Sequence, residues 1–166
     1  VVRAWAFLKE LRVREDARAQ DFKLAVGARL VFADGTPDIV AYPVSRHGWG
    51  RLTRLLSVGN LRAQKGDCTL HLEDLLEHCD DLLLIVMEGN EALLRTLKRK
   101  RPKSVWLAAT ISQSGADARR LAELQRLSVA TGVPLLATND ALYATAAQRP
   151  LHDIVTCIRD SVTLQK

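Results

Sequence analysis

The run L-L-L-I-V-M at residues 82–87 decides the fold, because it reads as a buried strand set between two helical patterns. Apolar residues recur at helical spacing before it, at 70–79, and after it, at 91–100. The alternation continues with a strand at 104–109, a helix at 117–131 closed by Gly132, a strand at 134–138 and a helix at 147–159. Since parallel strands need crossover connections, this order predicts an α/β fold with a mostly parallel sheet, open or closed into a barrel.

The N-terminal part predicts a helix and a hairpin. Apolar residues at near-helical spacing indicate a helix over 3–19, and residues 23–32 read as a strand. Asp34-Gly35 favours a tight turn, so residues 39–42 form the return strand, which Pro43 ends. A further helix is predicted over 51–58.

Length and composition bound the protein class. The chain has 166 residues, of which 48% are apolar, so we expect one globular domain over 1–166. No apolar run reaches the roughly 18 residues of a membrane span, and no membrane partner is expected. Three cysteines without paired spacing indicate a reducing, cytoplasmic location. The net charge of +5 permits contact with nucleic acid without establishing it.

The stretch V-P-L-L-A-T-N-D-A-L-Y at 133–143 marks a candidate site. Its strand ends on Asp140, and ligands in α/β enzymes bind at the carboxyl ends of strands. Asp140 is therefore either a metal ligand or what remains of a lost site. Leu142 stands where a second ligand would share such a site.

Four other motifs have both a functional and a structural interpretation, and the structural one is favoured for each. C-x2-H-x6-H-C at 68–79 has zinc-binding residue types, but its two histidines lie about 10 Å apart on a helix. Gly48-Trp49-Gly50 lacks the P-loop lysine. The loop 112–115, S-Q-S-G, has the composition of an anion-binding turn or a plain loop, and His152-Asp153 is a catalytic pair or an exposed helical dyad.

A basic run lies at the end of the helix predicted over 91–100. R-T-L-K-R-K-R-P-K at 95–103 has no interleaved aromatic residue, so it suits a phosphate backbone better than stacked bases. Cations at a helix end also suit the helix dipole, and a solvated surface is the alternative. The candidates for contact with nucleic acid or a neighbouring domain are Arg95, Lys98, Arg99, Lys100, Arg101 and Lys103.

Several motifs together resemble the PHP (polymerase and histidinol phosphatase) domain of bacterial C-family polymerases, the DNA polymerase III alpha subunits. The stretch at 133–143 and R-P-L-H-D-I-V-T-C-I-R at 149–159 are similar to the end of that domain. I-V-A-Y-P-V-S-R-H-G-W-G-R-L-T-R-L-L-S-V-G at 39–59 and Q-K-G-D-C-T-L-H-L-E-D-L at 64–75 resemble its error-prone branch. The resemblance keeps its order from about residue 24 to the C-terminus.

The resemblance implies a distorted seven-stranded β/α barrel, here lacking its first strand or strands, at the start of a much longer polymerase. It implies that the parent chain is a DNA-directed DNA polymerase, a nucleotidyltransferase that uses Mg in replication and damage-tolerant repair synthesis. In members of the family with a working site, histidines and carboxylates hold metal ions that support phosphoester hydrolysis.

This sequence departs from that metal-binding pattern. The resemblance aligns a family glutamate with Arg29, a histidine with Asp38, a cysteine with Glu88, and the histidine of a D-x-H pair with Leu142. A cation at Arg29 would repel metal ions. Asp140, Asp38 and Glu88 are thus expected to be vestigial, with no bound metal and no catalytic residue, and Asp140 is expected to cap the following turn.

The leading hypothesis is a non-catalytic scaffold that contacts the other domains of a parent polymerase and reaches DNA through that chain. An incomplete barrel would also leave strand edges open to self-association. A first alternative is a metal-dependent phosphoesterase or 3′-5′ exonuclease using Zn or Mn. A second is a stand-alone α/β binding module.

Overall fold

A computed structural model describes residues 1–111 and 115–164. In these residues five strands and seven helices alternate along most of the chain. The strands are β1 Ala28–Leu30, β2 Ile39–Pro43, β3 Leu82–Val86, β4 Val105–Ala109 and β5 Leu135–Ala137. The helices are α1 Val2–Val13, α2 Ala17–Gln20, α3 Arg46–Arg62, α4 Leu72–His78, α5 Glu91–Lys100, α6 Asp117–Thr131 and α7 Arg149–Asp160, the last preceded by a 3-10 turn, Ala146–Gln148.

The described strands form one mixed sheet in the order β1-β2-β3-β4-β5. β3, β4 and β5 pair in parallel, as the helix-strand alternation predicts. β1 and β2 form the predicted hairpin, but β2 also pairs antiparallel with β3. The expectation of a mostly parallel sheet is therefore right for half of the strand pairs, and the sheet is open in the described part of the chain.

One face of the sheet carries the hydrophobic core. Alternate strand residues, among them Leu30, Ile39, Leu84 and Leu107, are fully buried against the helices. α3 contributes a stripe of four buried residues at a spacing of three to four: Gly48, Leu52, Leu55 and Gly59. Gly48 is needed for close approach, since a Cβ there would lie 2.3 Å from the carbonyl oxygen of Asp81.

The opposite face remains half-buried. It presents Val40 and Tyr42 of β2, Ile85 of β3 and Trp106 of β4, all of intermediate exposure. Residues 138–141, which follow β5, cross this face and enclose a cavity of about 350 Å³ with β2 and β3. The free face thus has a partial cover at the carboxyl ends of the parallel strands.

Three predicted boundaries were wrong. The first helix divides into α1 and α2, because residues between Val13 and Ala17 turn and Asp16 caps α2 through its carboxylate. Of the strand predicted over 23–32, only the three residues of β1 are in a strand. Phe32 forms an isolated parallel bridge with Leu70. α3 begins at Arg46 rather than 51, because Ser45 accepts a hydrogen bond from the backbone N–H of Gly48.

Candidate functional site at the carboxyl ends of the strands

Arg29 joins the two acids that the sequence marks as candidate remnants of a metal site. Its Nε donates to Asp38 Oδ2 at 2.7 Å, and its Nη1 donates to both carboxylate oxygens of Asp140, at 3.0 and 3.2 Å. The side chains of Arg29, Asp38 and Asp140 are 44%, 27% and 39% exposed. A guanidinium therefore lies between two carboxylates at the position where the resemblance implies metal.

The topology explains why these three residues meet. Arg29 lies opposite Val40 in the β1–β2 hairpin, and Asp38 comes directly before β2, where its carbonyl accepts from the N–H of Met87 at the end of β3. In a flat sheet, β1 and β5 would lie about 19 Å apart at the usual strand spacing. The segment after β5 lines a cavity on the free face beside β2 and β3, and the long side chain of Arg29 reaches Asp140 there from β1.

The backbone at Asp140 fits this role. Its φ of 43° lies in the left-handed region, which Asp tolerates better than most residues. Its carboxylate accepts from Arg29, rather than from the following turn as the sequence predicts. The hydrogen bond that Arg29 donates to Asp38 is the main cause that raises the pKa of the Arg29 guanidinium. Burial opposes this rise and the charge of Asp140 adds to it, so the guanidinium stays charged.

The described residues at this site do not fit a divalent metal ion. Both carboxylates are engaged by a fixed cation, and Leu142 is 64% exposed and offers no ligand atom. Glu88 is exposed and makes no hydrogen bond or ion pair in the described part of the chain. Over residues 1–111 and 115–164, no group of three or more His, Cys, Asp or Glu side chains is arranged to hold a metal ion.

The cysteine and histidine motif at 68–79 serves to anchor α4. His71 caps α4, its N–H donating to Asp74 Oδ2 at 2.9 Å, and Arg62 donates to both Asp74 oxygens at 2.8 and 3.0 Å. These Arg62 hydrogen bonds lower the pKa of Asp74 to about 2. His78 is buried, and its Nδ1 lies 3.0 Å from the Asp74 carbonyl. The buried cysteine of the structural interpretation is Cys79, but the predicted solvated helix face is wrong for His78, which is buried, and for His71, which precedes the helix.

The six basic candidates divide into two groups at the opposite end of the sheet. Arg95 donates to Glu91 at 2.8 Å, and Arg101 donates to Asp80 at 3.4 Å. The other four candidates have no side-chain hydrogen bond or ion pair to a described residue. They are Lys98, which is half-buried, and the exposed Arg99, Lys100 and Lys103. The structure thus leaves four of the six free for an external partner.

The structure also places the remaining sequence motifs. Gly48-Trp49-Gly50 lies inside α3, not before it as the sequence predicts. His152 lies 3.5 Å from Asp153 on the surface of α7, and its ring lies 5.7 Å from that of Tyr143. Residues 112–114 of the predicted anion-binding loop lie outside the described residues. None of the described helices is long and apolar enough to cross a membrane.

Sequence reasoning missed the pairing of Arg29 with Asp38 and Asp140. The available signal was a compensating change of charge: a cation stands where the resemblance implies an acid, while two acids are present nearby. The sequence analysis treated Arg29 only as a cation that repels metal ions. Its positive charge also stabilises the two nearby carboxylates, and this second effect was overlooked.

Comparison with known proteins places most of the chain within a class of long polymerases. It is 49% identical over 162 residues to Error-prone DNA polymerase 1 of Rhizobium meliloti (strain 1021), covering 93% of this chain and 14% of that protein. It is 48% identical over 160 residues to Error-prone DNA polymerase of Sinorhizobium medicae (strain WSM419), covering 92% and 14%.

The similarity extends further along the chain in another relative. Error-prone DNA polymerase of Caulobacter vibrioides is 38% identical over 173 aligned residues, covering 100% of this chain and 15% of that protein. No family model matches the chain. The chain is therefore homologous to a segment of error-prone DNA polymerases and spans about one seventh of their length, which confirms the polymerase part of the resemblance.

Proposed function

We propose that this chain is a PHP-type domain of an error-prone DNA polymerase and that it acts as a non-catalytic scaffold. The observation that carries the proposal is the Arg29 guanidinium held between Asp38 and Asp140. A fixed cation there neutralises the carboxylates that would otherwise attract metal, and it repels a divalent ion by direct charge repulsion.

The architecture is consistent with part of a distorted β/α barrel. Three parallel strands are connected through helices. In this proposal, the half-buried face of the open sheet would face the interior of the barrel. In this proposal, nucleotidyl transfer with Mg takes place in other domains of the parent polymerase. This domain supports them, and the parent chain as a whole contacts DNA.

The alternative of a metal-dependent phosphoesterase or exonuclease rests on the two acids that remain at the strand ends. It makes a different prediction, because such an enzyme needs an ion at Asp140 that activates water. Metal content distinguishes the two functions without knowledge of a substrate.

The test uses the purified 166-residue chain, equilibrated with zinc or manganese, desalted and analysed by mass spectrometry. We expect less than stoichiometric retention in the wild type. Arg29→Glu replaces the internal cation with a third carboxylate beside Asp38 and Asp140, and it is expected to increase manganese retention. Arg29→Met is the matched control, since it removes the cation and adds no ligand.

The scaffold proposal fails if the wild type retains one equivalent of metal and loses it on Asp140→Ala. Retention that survives Asp140→Ala would place the metal elsewhere and would leave the arginine-bridged site as described. A polymerase assay on the same chain is expected to show no nucleotide incorporation.

A further inference from the structure

The C-terminal end of α5 brings together several cations that have no acidic partner among the described residues. Lys98, Arg99 and Lys100 occupy the last turn of the helix, and Lys103 follows it by three residues. None of these four has an acidic partner among the described residues. We call these four residues the basic end of α5.

The orientation of α5 directs these charges outward. Leu93, Leu94 and Leu97 are buried in the core, so the helix turns Arg99 and Lys100 to the solvent and leaves Lys98 half-buried. Arg99 follows Arg95 by four residues, which is about 6 Å along a helix. Lys103 is exposed in the turn that joins the end of α5 to β4.

The acids beside the basic end are already engaged. Asp80 has Arg101 at 3.4 Å and Arg51 at 3.9 Å. Asp81 accepts from the hydroxyl of Ser45 at 2.7 Å and lies 3.3 Å from His47. Neither neutralises the free lysines, so the surface retains local positive charge at the amino ends of β3 and β4.

We propose that the basic end of α5 binds the phosphate backbone of nucleic acid. This inference rests on the proposed function, because a domain of a DNA polymerase operates beside a polyanion. Flexible lysines without a fixed acidic partner suit repeated phosphates, and the absence of aromatic residues from 95–103 makes the contact independent of base sequence. Arg95 pairs with Glu91 and Arg101 pairs with Asp80, and these ion pairs position the end of the helix.

The test measures anisotropy of a fluorescein-labelled DNA duplex with the 166-residue chain at 50 and 200 mM salt. Four phosphate contacts predict that this increase in salt weakens binding about 100-fold, to an affinity near the non-specific range of roughly 10⁻⁴–10⁻⁶ M that holds at physiological salt. Arg99→Gln/Lys100→Gln/Lys103→Gln leaves one contact, so the same salt step should weaken the residual binding only about fourfold.

The control variant is Arg3→Gln/Lys9→Gln/Lys23→Gln, which removes the same charge from exposed residues of the N-terminal segment. We expect it to keep the wild-type affinity and salt dependence. Arg99→Lys/Lys103→Arg, which preserves charge, should do the same. Circular dichroism of every variant confirms that α5 remains folded.

Three outcomes overturn the proposal: no binding at 50 mM salt, equal losses in the two triple variants, or binding to polyglutamate but not to DNA. The last would assign the surface to an acidic protein partner. Each of these results leaves the metal-retention test unaffected, so the failure of this inference is distinguishable from failure of the scaffold function.

Discussion

Asp74 offers a pH-dependent test of how α4 is anchored. Its carboxylate accepts two hydrogen bonds from Arg62 and one from the N–H of His71, and only 14% of the side chain is exposed. Arg62 lowers the pKa of Asp74 from 3.8 to about 2, partly opposed by burial. Asp74→Asn keeps the shape and removes the charge, so it isolates the ionic contribution.

The pKa shift sets the size of the effect. A shift of nearly two units corresponds to at most about 2.5 kcal/mol of stability by linkage. Arg62 is 40% exposed, so solvent screens the pair and we expect a loss of about 1 kcal/mol in Asp74→Asn. A loss of that size lowers the melting temperature by about 2–4 °C in a chain of this length.

The sign of the pH dependence follows from the lowered pKa. A carboxyl group with a lower pKa in the folded state stabilises the fold above its unfolded pKa, and this contribution disappears as pH falls through the folded pKa. The stability difference between wild type and Asp74→Asn should therefore be complete at pH 6 and shrink between pH 4 and pH 2.

The measurement is urea unfolding followed by circular dichroism at pH 6, 4, 3 and 2.5. Asp67→Asn is the control, since Asp67 is exposed and its carboxylate makes no contact with the other described residues. A difference for Asp74→Asn that stays constant with pH, or that Asp67→Asn reproduces, would refute the assignment of this ion pair as a stabilising anchor.

Three further predictions concern stability. Gly48→Ala should lower the free energy of unfolding by about 2 kcal/mol, because the added Cβ clashes with Asp81. Gly50→Ala has open space around its Cβ and should raise the free energy of unfolding by about 0.5–1 kcal/mol. Urea unfolding of both variants measures the sign of each change. Ser45→Ala removes the α3 cap and its bond to Asp81, and it should cost about 1–2 kcal/mol, unlike the control Ser57→Ala. Chelator should leave the melting temperature unchanged; a decrease of several degrees would indicate structural metal.

Local signals made part of the fold predictable. α5 and α6 have the predicted bounds because each has a sharp terminal signal: Asn90 accepts from the N–H of Leu93 at the start of α5, and Gly132 adopts a left-handed conformation after α6. The beginning of α3 was missed because two glycines in its first turns lower helix propensity. Tertiary packing against Asp81 outweighs that preference.

Long-range contacts account for the rest. β1 was predicted too long, because strand length depends on a partner and β1 is an edge strand paired to β2 alone. The site followed the same pattern. Asp38, Asp140 and Arg29 were each identified as candidate positions, but Arg29 and Asp140 are 111 residues apart and no local pattern encodes their contact.

The arginine between Asp38 and Asp140 changes what the environment can do to the fold. A bound metal is in equilibrium with its surroundings, so it can be diluted, chelated or exchanged. A guanidinium attached to the chain is a permanent counter-ion, always present at one equivalent. The link between the β1–β2 hairpin and the segment after β5 therefore no longer depends on which cations the solution supplies, and responds instead to ionic strength.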